Sequence, residues 1–140
     1  MNEIRRPKLR SVLLWLLGAL YLMAGLLHLA FPEPFLTIMP RWVPWPREVV
    51  AVTGLCEILG AAGLALKPLR RLAGAALALY AVCVFPANVT HALNDLTTHA
   101  GLGLWYHVPR LLLQPILVWA ALYAGAVTGW PFARPHDHSA

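Results

Sequence analysis

The chain has 140 residues, of which 59% are hydrophobic and 12% are charged, and its mean hydropathy is +0.63. This composition excludes an ordinary soluble domain and is typical of an integral membrane protein. The net charge of +5 fits basic loops that flank membrane helices, so no nucleic-acid partner is expected. We therefore predict one domain over residues 1–140, with the lipid bilayer as its main partner.

Four apolar segments follow one another along the chain, and each reaches the roughly 20 residues that a bilayer-spanning helix needs. They cover residues 11–31, 48–66, 72–93 and 108–129. Proline marks their limits, because Pro32 ends the first segment, Pro46 precedes the second and Pro109 suits the opening turn of the fourth. The predicted fold is an all-α, antiparallel four-helix transmembrane bundle.

Basic residues concentrate before the first segment and between the second and third: Arg5, Arg6, Lys8, Arg10, Lys67, Arg70 and Arg71. Since basic loops stay on the cytoplasmic side, both termini are predicted to be cytoplasmic. The first segment is interpreted as a retained helix, because His28-Leu29-Ala30 lacks the small-x-small pattern of a signal-peptide cleavage site. We expect a multi-pass protein of the inner (plasma) membrane.

The connection over residues 32–47 is rich in proline and contains Phe35, Trp42 and Trp45. Tryptophan prefers the membrane interface, so this segment is predicted to be an aromatic anchor, with a lid over a site as the alternative. The C-terminal tail contains His136 and His138, and we expect a solvated end that binds metal at most adventitiously.

Polar residues within the predicted spans are the main indication of a functional site, because such side chains are costly in hydrocarbon. They are His28, Glu57, Asn88, His91, Arg110 and Gln114. Helical spacing gives each span one polar stripe, which Tyr21, Asp95 and His107 extend, and polar faces of membrane helices turn toward one another. The stripes are predicted to converge on a pocket open to the outer face, with close helix approach at Gly25, Gly54, Gly60 and Gly63.

Several chemistries fit this layer. Glu57 and His91 are the predicted catalytic pair if the site performs acid–base work, because burial shifts both groups toward useful pKa values. A quinone or another flat amphipathic ligand is the second option, and the suitable donors to its carbonyls are Asn88, His91, Arg110 and Gln114. The predicted ligand-binding residues of the layer are His28, Asn88, Arg110 and Gln114.

The same layer is also compatible with metal binding or with a purely structural role. His28, Glu57 and His91 are suitable ligand types, but they lie on three different spans without E-x-x-H or H-x-x-x-H spacing. In a structural role, Glu57 pairs with a histidine or Arg110, and the amides only join helices. Cys56 and Cys83 are interpreted as buried, inert side chains, because no C-x-x-C motif accompanies them.

Several short segments form a combined pattern: Tyr21-Leu-Met-Ala-Gly-Leu-Leu-His28, Ile38-Met-Pro-Arg-Trp-Val-Pro44, Val49-Val-Ala-Val-Thr-Gly54, Glu57-Ile-Leu-Gly60, and Phe85-Pro-Ala-Asn88 followed by His91. With this pattern, residues 18–115 resemble the DoxX-like membrane proteins. The resemblance implies a four-helix membrane bundle. Named members include a subunit of a thiosulfate:quinone oxidoreductase, and a distant animal branch acts as a receptor-assembly chaperone. The pattern positions are His28, Pro40, Pro44, Gly54, Glu57, Gly60, Pro86, Asn88 and His91.

Three functional hypotheses follow. The first is a quinone-linked or redox-associated membrane protein that works with a redox partner protein, because the sequence has no haem-attachment motif or flavin fingerprint of its own. The second is a small enzyme that uses acid–base chemistry on a lipophilic substrate. The third is a non-catalytic assembly factor, and homo-oligomerisation is open in all three.

Overall fold

The computed structural model describes residues 5–99 and 101–132, with side chains from Lys8 onwards. The regular elements in these residues are all helices: α1 (Arg5–Ala30), α2 (Glu33–Thr37), α3 (Pro46–Ala65), α4 (Arg70–Thr98) and α5 (Gly103–Ala124). The predicted all-α class is therefore confirmed. The tail that contains His136 and His138 lies outside the described residues.

Three helices are long and apolar enough to cross a membrane: Lys8–Ala30 within α1, Pro46–Ala65 and Arg70–Thr98. Large apolar side chains cover their outer surfaces, including Trp15, Leu59, Leu72 and Leu79, each more than 60% exposed. A soluble monomer rarely exposes apolar patches of this extent, whereas a bilayer favours them. The helices thus indicate a membrane protein.

Four helix boundaries differ from the predicted spans by five or six residues. α1 begins at Arg5 instead of residue 11, and α5 ends at Ala124 instead of residue 129. α4 continues to Thr98, beyond the end of its apolar segment. In this last turn, the hydroxyls of Thr97 and Thr98 donate to backbone oxygens one turn earlier.

α5 begins at Gly103, so Pro109 lies in its second turn. The predicted position of Pro109 in the first turn is therefore wrong. A proline there removes one backbone donor, which the surrounding helix tolerates.

The connection between α1 and α3 contains a helix that the sequence did not predict. α2 spans Glu33–Thr37 and packs against α3. Pro34 falls in its first turn, where the missing backbone donor costs no intrahelical bond. The proline-rich segment is therefore partly ordered as a helix, which brings Phe35 toward the end of α1.

The long helices pack pairwise, α1 against α3, α3 against α4, α4 against α5 and α5 against α1. Contacts along α4 and α5 join Gly74 to Gly125 near one end and Asp95 to His107 near the other. Positions rise on α4 as they fall on α5, so these two helices run antiparallel. The buried apolar core lies among leucine and alanine residues of all four: Leu14, Leu17, Leu64, Leu77, Ala78, Ala120 and Ala121.

Glycine allows the closest helix contacts, as predicted. A Cβ atom at Gly25 would lie 2.6 Å from the backbone oxygen of Gly54, and one at Gly54 would lie 2.8 Å from the Cβ of His28. Side chains cannot be accommodated at such distances. The α1–α3 contact therefore depends on these two glycines, and it brings His28 directly against α3.

The N-terminal part of α1 contacts the C-terminal end of α5. The Arg10 guanidinium lies over the Tyr123 ring, 4.7 Å from its centroid, and its Nη2 donates to the Thr128 oxygen at 3.4 Å. At the start of α4, Arg70 donates through Nε to the oxygen of Leu64 at 2.9 Å, which caps the end of α3.

Candidate functional site

Glu57 lies at the junction of α1, α3 and α4 and is only 4% exposed. Its Oε1 accepts a hydrogen bond from the Tyr80 hydroxyl at 2.8 Å. Its Oε2 lies 2.8 Å from Nδ1 of His28. We call Glu57, His28 and Tyr80 the carboxyl cluster.

The protonation of His28 follows from its neighbours. Nδ1 faces two acceptors, the Ala24 backbone oxygen at 2.9 Å and Glu57 Oε2, so Nδ1 carries a proton. That proton is better aligned with Ala24, which leaves Oε2 with a close charge contact but without a well-aligned hydrogen bond. A buried carboxylate oxygen without a donor has spare capacity to accept a hydrogen bond.

Aromatic rings frame the carboxyl cluster on two sides. Phe35 of α2 stacks on the His28 ring, with centroids 3.7 Å apart and an interplanar angle of 23°. Tyr21 of α1 meets the Tyr80 ring edge to face at 6.2 Å and is itself buried. The carboxyl cluster therefore combines one polar centre with flat apolar walls, the general character of a site for an amphipathic ring.

A second set of polar residues joins α4 to α5. Asn88 donates through Nδ2 to Gln114 Oε1 at 3.0 Å, and Gln114 Nε2 donates to the Ala81 oxygen at 2.5 Å. Arg110 Nη2 donates to Asn88 Oδ1 at 2.6 Å. We call Asn88, Arg110 and Gln114 the amide ladder. Its amide groups satisfy one another, so it joins the two helices and has few donors left for a ligand.

The ladder continues toward the α4–α5 connection through a third set, the Asp95 cluster: His91, Asp95 and His107. Arg110 Nη1 lies 2.6 Å from His91 Nδ1, while His91 Nε2 lies 3.4 Å from Asp95 Oδ2. His107 Nε2 reaches the same Oδ2 at 3.0 Å, and the Leu102 backbone N–H donates to it at 3.2 Å. His107 is 1% exposed, and its Nδ1 has no hydrogen-bond partner among the described residues.

The predicted site residues thus fall into separate groups instead of one pocket. Glu57 meets His28, as one form of the prediction required, and it is buried between the helices. The contacts of His91 within the described residues are instead with Arg110, Asp95 and rings of α5. The predicted catalytic pair of Glu57 and His91 is therefore not assembled, nor is the metal set of His28, Glu57 and His91.

Axial register explains the separation. Glu57 faces Tyr80 on α4, and His91 lies eleven residues further along, about 16 Å at 1.5 Å per residue. The polar stripes face inward as predicted, but they meet at different heights. Tyr80 was not among the predicted site residues, although it precedes Asn88 by eight residues and so lies on the same stripe. Asp95 and His107 were on the stripes but outside the predicted site.

The cysteines depart from the sequence interpretation in one respect. Cys56 and Cys83 are free, as expected from the lack of a thiol motif, but both are exposed on the helix surfaces rather than buried. The predicted burial of the two thiols is therefore wrong, and the prediction that they form no pair within the described residues holds.

The fold and these clusters define a helical membrane protein with buried polar groups between its helices. Residues 17–124 match the family model described as "Domain of unknown function (DUF8561)", and the chain belongs to this family. The matched range extends from α1 to the end of α5 and includes all three clusters. Comparison with curated proteins gives no match, and comparison with solved structures gives none either.

Proposed function

We propose that the chain is a multi-pass protein of the inner (plasma) membrane whose carboxyl cluster binds a quinone or quinol. In this proposal, α1, α3, α4 and α5 form an antiparallel four-helix transmembrane bundle with both termini cytoplasmic. The supporting pattern is the concentration of basic residues before α1 and between α3 and α4. The apolar surfaces of the helices give a lipophilic ligand direct access from the bilayer.

The observation that carries the ligand proposal is the buried Oε2 atom of Glu57, which has no well-aligned donor. A quinol hydroxyl is a donor of the right kind, and the ring beyond it is flat and apolar. Phe35 already presents a flat ring to His28, and a quinone ring is a chemically similar stacking partner. The ligand would therefore take the place of, or lie beside, the Phe35 ring.

Proton exchange follows from the same geometry. A quinol releases two protons and two electrons when it becomes a quinone, and Glu57 is placed to accept a proton at Oε2. Tyr80 holds the other carboxylate oxygen, so the group is oriented before the ligand binds. The two electrons and the second proton pass to a separate redox protein, since the proposal gives this chain only the binding of the ring and the transfer of one proton to Glu57.

A DoxX-like relationship is part of the proposal. Two of the pattern positions, His28 and Glu57, belong to the carboxyl cluster, and two others, Gly54 and Gly60, allow the helix contacts beside it. Four of the nine pattern positions thus lie where α1, α3 and α4 meet, whereas Asn88 and His91 lie between α4 and α5. Acid–base catalysis on another lipophilic substrate is the second candidate, favoured by the direct Tyr80–Glu57 hydrogen bond.

The test is to extract the lipids retained by gently purified protein and to quantify quinone per chain by mass spectrometry. Glu57→Gln replaces the accepting oxygen or turns a donor toward the quinol, so retained quinol should fall at least about tenfold, the cost of one charge-assisted hydrogen bond. Glu33→Gln is the matched control, because Glu33 is an exposed carboxylate whose ion-pair partner among the described residues is Arg47 at the surface.

The proposal expects quinone in the parent and in Glu33→Gln and little in Glu57→Gln. A parent protein with no more quinone than its surrounding lipid would contradict it. Turnover of a non-redox lipophilic substrate without any redox partner would favour acid–base catalysis instead.

A further inference from the structure

The Asp95 cluster is independent of the proposed quinone site and contains groups that the proposal does not use. His91 and Asp95 are four residues apart on α4, so they share a helix face, and His107 approaches them from α5. Each offers one ligand atom, and these atoms lie within 4.8 Å of one another. We propose that His91, Asp95 and His107 form a binding site for a divalent transition-metal ion such as Zn²⁺.

The donor spacing supports this assignment. In a tetrahedral zinc site with metal–ligand distances of about 2.0–2.1 Å, neighbouring ligand atoms lie about 3.3 Å apart. Asp95 Oδ2 lies 3.0 Å from His107 Nε2 and 3.4 Å from His91 Nε2, close to that separation. Two imidazoles and one carboxylate are a ligand set for Zn²⁺ or Fe²⁺ that leaves positions for water or substrate.

Burial gives a second, independent argument. His107 is 1% exposed, yet it makes one polar contact, through Nε2, and its Nδ1 has no partner in the described part of the chain. Burying a histidine with half of its hydrogen-bonding capacity unused is costly. Coordination at Nε2 leaves Nδ1 without a partner, but the metal–nitrogen bond would offset part of the cost of burying this side chain.

The contact between Arg110 and His91 affects the affinity of the site for a cation. Its guanidinium always donates, so the His91 Nδ1 atom that it meets at 2.6 Å must be the unprotonated nitrogen. Coordination through Nε2 requires the proton on Nδ1 instead, so the Arg110 contact must open when metal binds. Arg110 also contacts Asn88 and lies over the Tyr106 ring, so other contacts hold it when it leaves His91.

The site is tested by titrating the purified full-length chain with Zn²⁺ in competition with a chelator, after treatment with EDTA. The protein carries no polyhistidine tag and has His136→Ala and His138→Ala, so the tail histidines cannot contribute. One Zn²⁺ per chain is expected. Asp95→Asn and His107→Gln should each weaken binding by at least about tenfold, since loss of outer-shell partners alone costs about 10–100-fold.

His99→Asn is the matched control, because His99 is an exposed histidine at the end of α4, and asparagine tolerates its left-handed backbone. It should leave the affinity unchanged. Arg110→Gln should bind Zn²⁺ more tightly than the parent, because it removes a positive charge and supplies an acceptor for Nδ1–H. Parent-like affinity in Asp95→Asn and His107→Gln, or an equal loss in His99→Asn, would overturn the proposal.

A second measurement covers the case in which a ligand variant does not fold. Co²⁺ bound to the parent by these residues should give the intense visible absorption of a four- or five-coordinate site. A spectrum of hydrated Co²⁺ alone would equally overturn the site. Folding of every variant is checked by helical circular dichroism and by monodispersity in detergent.

Discussion

Glu57 is a carboxyl group held away from water by side chains from three helices. Tyr80 donates to one oxygen and His28 lies beside the other, so the group has one full hydrogen bond and one charge contact. Isolated charge in such a position is very costly, and partners are required whether the role is chemical or structural. The unequal satisfaction of the two oxygens is what favours a ligand at Oε2.

Substitutions of Glu57 should separate these contributions. Glu57→Gln keeps an acceptor for the Tyr80 hydroxyl and should change stability little, whereas Glu57→Leu leaves that buried hydroxyl unpaired and should cost about 1–3 kcal/mol. Loss of helicity on titration with denaturing detergent measures both. Equal stability of the two variants would show that the Tyr80 hydrogen bond contributes nothing to folding.

Residue types and helical spacing were enough to predict that Glu57 is buried and contacts one of His28, His91 and Arg110. They were not enough to identify the partners, because partner choice depends on axial register between helices. A stripe gives the direction in which a side chain points, but not its height relative to the next helix. For that reason the stripes predicted a Glu57–His91 pair, although the register of α3 on α4 places Tyr80 opposite Glu57.

At the scale of helices, small residues set the distance between α1 and α3. The backbone oxygen of Gly54 occupies the space where a Cβ of Gly25 would lie, so the two helices touch through their backbones. This contact positions His28 against Glu57. The geometry of the carboxyl cluster therefore depends on two glycines that take no part in its chemistry.

Gly25→Ala should destabilise the protein by about 1–3 kcal/mol, the usual effect of overpacking at a tight contact. Gly18→Ala on the same helix is the matched control, because a Cβ there meets nothing within 4 Å. It should leave stability unchanged or slightly raised, since alanine favours helices. Detergent unfolding of both variants makes the comparison, and equal destabilisation would refute the close-contact account of α1 and α3.

The apolar segments predicted the long helices well, because bilayer length and hydrophobicity constrain them strongly. They did not predict α2, since five residues with a proline in the first turn have no periodic signal. They also do not predict the extension of α4 to Thr98, because its last turn is polar and lacks the apolar pattern of a membrane span.

For the whole molecule, orientation is the property on which access to the clusters depends. Single cysteines in a Cys56→Ser, Cys83→Ser background test the predicted topology. A membrane-impermeant thiol reagent added outside intact cells should label Glu33→Cys and Thr98→Cys and spare Arg71→Cys, because the basic connection stays inside. Arg71 is exposed and, unlike Arg70, does not cap α3. If the reagent labelled Arg71→Cys and spared the other two variants, both termini would lie outside, and the predicted topology would be wrong.

The most direct test of the quinone proposal is to locate a photoreactive quinone on the chain by peptide mapping after illumination. The proposal predicts labelling in the α1 segment that contains Ala24 and His28 and in α2 around Phe35, suppressed by excess unlabelled quinone and weakened by Glu57→Gln. Labelling spread over outward-facing side chains such as Trp15 and Leu72, and unaffected by excess quinone, would contradict it.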